Sequence, residues 1–170
     1  MKISKLRIQK IGSLLEQELY IYDRLHKAAK SIQDLVVIND INMLNSMVEQ
    51  EDALFARAEL LRQERLQIML ELKDELNLSD SEFGLARLME FMDEQDAREI
   101  HRLRDELLAS ISRLDTINRI NHELVDYSLN LNAQFMNLLV NLGQNNPVYQ
   151  KSGMLKQQAN VARRLLDKKV

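Results

Sequence analysis

The chain has 170 residues, 45% of them hydrophobic and 5% aromatic, with four glycines, one proline, no cysteine and a formal charge of −3. That is long enough for one domain with a real core and too poor in turn, β-branched and aromatic residues for a sheet protein; without cysteine, disulfides, thiolate metal sites and thiol nucleophiles are excluded. The charge is uneven, +4 over residues 1–10 and +5 over residues 151–170 against −12 between them, which disfavours nucleic acid as a partner of the acidic body.

Met1 to Lys10 is basic but has no uninterrupted apolar stretch, so it does not read as a secretory signal, and no run reaches the ~18 apolar residues of a membrane span. A soluble, cytoplasmic protein without stable membrane insertion is expected. From about Lys5 to Val37, Ile11, Leu15, Leu19, Tyr22, Leu25, Ala29, Ile32 and Val36 recur mostly three or four apart, which predicts a long amphipathic helix. Asn39-Asp40 interrupts it with two residues suited to helix N-caps. A second helix is predicted from about Ile41 to Leu76, with Leu44, Met47 or Val48, Leu54, Ala58, Leu61, Ile68, Leu72 and Leu76 inside. Its outer face of Glu, Asp, Arg and Gln reads as a solvated surface.

After a break at Asn77–Asp80, Ser79 with Glu82 forms a capping-box pattern that predicts a short apolar helix over about Asp80 to Met92, plugging the end of a bundle. The acidic residues 93–96 then lead into the most regular stretch, Arg98 to Gly143. Ile100, Leu103, Leu107, Ser110, Leu114, Ile117, Asn121, Leu124, Ser128, Leu131, Phe135, Leu138 and Leu142 step by three and four, an average of 3.5 that holds one helix face toward a partner, and Ile111, Val125 and Leu139 widen it. At ~1.5 Å per residue this helix would measure roughly 65–70 Å, and it is expected to lie against other helices for most of that length.

Residues 143–153 hold two of the four glycines and the only proline and read as a hinge. Met154 to Val170 predicts a basic amphipathic helix, with Leu155, Ala159, Ala162, Leu165 and Leu166 among its apolar residues. One reading is a further helix docked permanently on its own bundle; a membrane-surface helix is disfavoured by the lack of Trp and Phe on the apolar side. At ~17 residues a free segment would not hold a helix alone, so the expected behaviour is ordering on meeting an apolar groove or helix. The predicted organisation is a bundle over 1–142, a linker over 143–153 and this tail over 154–170. The fold class is all-α, an elongated antiparallel helical bundle or coiled coil with three main helices, one short helix and the C-terminal helix.

Chemistry-bearing patterns are sparse. The bundle lacks the Glu-x-x-His pairs of a di-metal site, Asp23-x-x-His26 occurs once among surface charge, and there is no phosphate-binding glycine loop or nucleophile elbow. No metal, cofactor or enzymatic activity is expected. Asn121 lies on the inward stripe of the long helix with Asn118 a turn before it. A buried amide there fixes helix register, and the other reading is that these amides hydrogen-bond to a partner's backbone.

The layout resembles the FlgN family of flagellar export chaperones. It has a long helix, an acidic Asn-Asp turn, a second helix dense in Leu and Glu with Glu64-Arg65 near its end, a short apolar helix, and a long helix bearing Asn-x-x-Asn. The local matches are Asn118-Arg119-Ile120-Asn121-His122-Glu123-Leu124 and Tyr149-x-x-x-Gly153. The resemblance covers essentially the whole chain. It implies a cytoplasmic chaperone that binds the C-terminal helices of hook-associated, filament-junction proteins and keeps them unassembled and competent for type III export. It also implies substrate capture by the tail, here Leu155, Ala162, Leu165 and Leu166, and docking to the export gate or its ATPase complex near Tyr149. The strongly basic tail departs from the family pattern. The rival reading is a structural coiled-coil scaffold or adaptor that dimerises through the long helix.

Overall fold

The apolar spacing produces the helices it predicts. In the computed structural model, residues 2–80, 83–144, 148–149 and 155–156 are described. Helix α1 spans Lys5–Ile38 and α2 spans Ile41–Glu75. The two residues between them divide the work of the turn. Asn39 takes the left-handed conformation (φ 58°, ψ 37°), and the Asp40 N–H reaches back to the Leu35 carbonyl at 3.2 Å, closing α1 with a Schellman-type end. Asp40 then caps α2, its carboxylate accepting from the Met43 N–H at 3.1 Å. Asn77 (φ 52°) repeats the first device at the end of α2, where the Leu78 N–H donates to the Lys73 carbonyl at 3.0 Å.

The third helix is much shorter than its apolar content suggests. Helix α3 covers only Leu85–Met89 and starts after Gly84, whose backbone is extended, so the predicted start at Asp80 is displaced by five residues. Asp80 itself has 3₁₀ geometry, its carbonyl accepting from the Phe83 N–H at 3.4 Å, and Glu82, the second half of the predicted capping box, lies outside the described residues. Helix α4 spans Glu94–Gln144, beginning four residues before the apolar periodicity because Glu94 and Asp96 favour the positive end of the helix dipole.

Two units make up the chain, Met1–Leu124 and Val125–Val170, with α4 passing from one into the other. In the first unit α2 runs antiparallel to α1, as the cross-helix ion pairs Arg7–Glu75 and Glu18–Arg65 record, and α4 runs parallel to α1. Ile100 lies against Gly12, and Asn121 against Ala29. Helix α1 is therefore wedged between two neighbours. Its buried surface includes both Leu14 and Leu15, a wider face than the single predicted stripe. One apolar cluster joins Ile11, Leu15, Leu72, Leu88, Ile100 and Leu103, with α3 closing that end. The other joins Leu14, Leu25, Ala29, Leu61, Leu114 and Ile117. Burial of each such Leu or Ile contributes roughly 1.5–3 kcal/mol, so these two clusters carry the stability of the unit.

In the second unit, Val148–Tyr149 forms strand β1 and pairs antiparallel with β2, Leu155–Lys156. This corrects the predicted tail helix at its start. Val148 and Tyr149 favour the extended state, and the ladder with them takes up the first turn that a helix from Met154 would need. Residues 157–170 lie outside the described residues.

Candidate partner-binding surface

The seam of α4 changes character within one turn. Ile100, Leu103, Leu107, Ser110, Leu114, Ile117 and Asn121 are all buried, and Leu124 is half-buried. Beyond it the same periodicity continues, but Leu131, Phe135, Leu138 and Leu142 are 47–59% exposed. The expectation that the helix is covered for most of its length thus holds only for its first part.

The exposed segment is unlike an ordinary solvated helix. Asp126 is the last charged residue before Lys151. At ~100° per residue, Asp126, Asn130, Gln134, Asn137 and Asn141 fall on one narrow stripe. The apolar residues, Val125, Leu129, Leu131, Phe135, Met136, Leu138, Leu139, Val140 and Leu142, spread over about 200° of the circumference, with Ser128 and Asn132 the polar residues among them. Exposed apolar surface this extensive marks an interaction site rather than a solvent boundary, and an arc this wide has room for two neighbouring helices.

Asn121 is 8% exposed, and its Nδ2 donates to the Ala29 carbonyl at 2.7 Å. This contact fixes the axial position of α4 against α1, the register role weighed for it. Its Oδ1 is buried without a hydrogen-bond partner among the described residues. Asn118 is half-buried. Tyr149 and Leu155 are brought together as directly opposed residues of the β1–β2 ladder. Gly153, Ala159, Ala162, Leu165 and Leu166 lie outside the described residues.

One polar constellation escapes the periodicity argument. Glu18, on the buried face of α1, is 2% exposed, and both of its carboxylate oxygens accept from Arg65 of α2, at 2.6 Å from Nε and 3.1 Å from Nη2. The solvated-face reading of α2 is corrected here, since Arg65 turns inward. A glutamate falling between Leu14 and Ile21 on an apolar stripe was the available signal. The neighbouring Tyr22 phenol is raised above its ordinary value by burial and by the Glu18 charge.

Asp23, half of the only Asp-x-x-His spacing considered for a metal, holds Lys27 at 2.6 Å, and that hydrogen bond draws its carboxyl below the usual range. Among the described residues no group of three or more His, Asp or Glu is placed to hold a metal ion, and none of the helices is long and apolar enough to cross a membrane.

Compared with known families, the chain matches the model described as FlgN protein over residues 1–157. No match is found among curated proteins or among solved structures.

Proposed function

Because the chain belongs to the FlgN family, a family of flagellar export chaperones, we propose that it binds the C-terminal helices of hook-associated proteins in the cytoplasm and keeps them unassembled for export. The observation that carries this reading is the uncharged apolar arc of α4 from Val125 to Leu142. Subunit ends that self-associate through amphipathic helices are masked by a surface of the same kind, without hydrolysis or a cofactor. The arc is wide enough for the client helix and the chain's own tail to lie side by side. Leu155, Ala159, Ala162, Leu165 and Leu166 then close over the client as the tail orders, and the burial gained offsets the ordering cost. Asn118, half-buried on α4, offers an amide to a client backbone, while Tyr149 and Gly153 belong to the segment that carries the tail and meets the export gate or its ATPase complex.

Calorimetric titration with the C-terminal segment of a hook-associated protein tests the reading. L131D/L138D on α4 and L165D/L166D on the tail are each expected to weaken binding by at least about 100-fold, since an aspartate on a buried apolar contact costs several kcal/mol. The melting of the first unit should stay unchanged in both. Unaltered binding by both variants overturns the proposal. The same continuing seam also suits self-pairing, so light scattering accompanies the titration: a tight dimer that ignores the client would favour the scaffold reading.

A further inference from the structure

A second surface, in the first unit, has a different chemistry from the α4 arc. Between the parallel helices α1 and α4 lies a cleft of about 410 Å³. His26, Lys30 and Gln33 form one wall, spaced so that all three share a face of α1. Ser112, Arg113 and Thr116 form the other wall, over a floor that includes Ile117 and Ile120. Two fixed cations and an imidazole therefore face a partly apolar trough with no carboxylate in its lining, although the body of the protein between residues 11 and 150 carries −12.

The cations are not consumed by the fold. Lys30 makes no ion pair among the described residues, and Arg113 uses one guanidinium nitrogen on the Ser110 hydroxyl at 2.8 Å. Asp23 lines a smaller adjoining pocket together with Arg113; its carboxylate is engaged by Lys27, and the Arg113 charge acts on it only weakly, as the last of the causes that lower its pKa. Thr116 donates its hydroxyl proton to the Ser112 carbonyl at 2.9 Å, so the anion-binding groups of the cleft are Lys30 and Arg113. The lining runs for about two helical turns on each helix, from His26 to Gln33 on α1 and from Ser112 to Ile120 on α4, roughly 10–12 Å, which suits a length of polypeptide better than a compact ion.

We infer that this α1–α4 cleft docks an acidic amphipathic segment of a second protein partner, its carboxylates taken by Lys30 and Arg113 and its apolar side chains by Ile117 and Ile120. Charge complementarity names the occupant. The chain's own basic tail is repelled from it, and a purely apolar helix gains nothing from the two cations. The site is independent of the α4 arc, so failure of one leaves the other standing.

The experiment uses the full chain and a fluorescein-labelled helical peptide with Leu and Glu at alternating three- and four-residue spacing. Saturable, salt-sensitive binding is expected by fluorescence anisotropy. It should weaken about tenfold or more in K30E/R113E and less in the milder K30Q/R113Q. It should be unaffected by R24E/R57E, which changes the charge equally on other faces; circular dichroism confirms that each variant is folded. Equal weakening by R24E/R57E would reduce the effect to general attraction and overturn the inference, as would undiminished binding of the Gln-for-Glu peptide. Displacement of the peptide by inorganic phosphate, with binding of phosphate alone, would assign the cleft to small anions and also overturn it. Absence of saturable binding has the same consequence.

Discussion

Arg65 holds a carboxylate that has nowhere else to go. Its partner Glu18 has a side chain only 3% exposed, while Arg65 itself is 18% exposed, so truncating the arginine leaves a nearly enclosed charge on α1. Breaking such a pair from one side typically costs about 3–5 kcal/mol, whereas replacing both members with apolar groups is often neutral. R65M is therefore expected to lower the urea midpoint by an amount equivalent to about 3 kcal/mol, and E18L/R65M to recover most of it; a double variant no better than the single would mean that the charge is not what matters. Glu51 gives a pH-dependent counterpart. Burial first, and then the neighbouring Asp52 charge, raise its carboxyl above the ordinary value, and its Oε1 is buried without a hydrogen-bond partner among the described residues. The folded state thus binds a proton more tightly than the unfolded chain does, so stability falls as pH rises through the folded pKa. E51Q should raise the melting temperature at pH 7, and the gain should disappear below the ordinary glutamate range near 4.5.

At the scale of the helix, the apolar spacing placed α1 and α2 within a residue at each end, because Asn39-Asp40 and Asn77 stop helices by known backbone geometries. The spacing misjudged α3, where Gly84 takes extended backbone inside an apolar run that otherwise reads as helix. It was silent on Glu18, since a lone acid on an apolar stripe looks like an interruption until its partner on another helix is known. The α4 seam shows the limit most clearly. A 3.5-residue repeat states that a helix has a partner, not whether the partner belongs to the same chain. Ile117 and Leu138 are indistinguishable by pattern, yet one is 9% exposed and the other 54%. Their amides should differ too. In the free chain, hydrogen exchange over 125–142 is expected to be at least about tenfold faster than over 100–121, because only helix propensity protects the first while packing protects the second. Adding client should slow the exposed segment selectively, and equal protection in the free chain would mean that this face is already covered.

For the whole molecule, the all-α class and the three long helices follow from composition and periodicity, while the division at Leu124 does not. Sequence placed the functional boundary at the Gly143 hinge, but the change in burial comes a whole helical segment earlier, with no glycine or proline to mark it. The physical marker is instead the loss of charge after Asp126, since a helix kept in water ordinarily carries charged residues on its open side. Stability and binding thereby separate. Both apolar clusters are built from residues no later than Ile117, and the ion pairs that tie α1 to α2 lie within the same unit. Ending the chain at Asn146 should leave the melting temperature within ~2 °C of the full chain, less than a loss of 1 kcal/mol would produce in a domain of this size. Client affinity should fall by the same large factor as in L165D/L166D, because the truncation removes the segment that closes over the client while keeping the α4 arc. If melting instead drops by more than ~5 °C, the tail is a structural helix of the bundle, and capture must then be assigned to the arc alone.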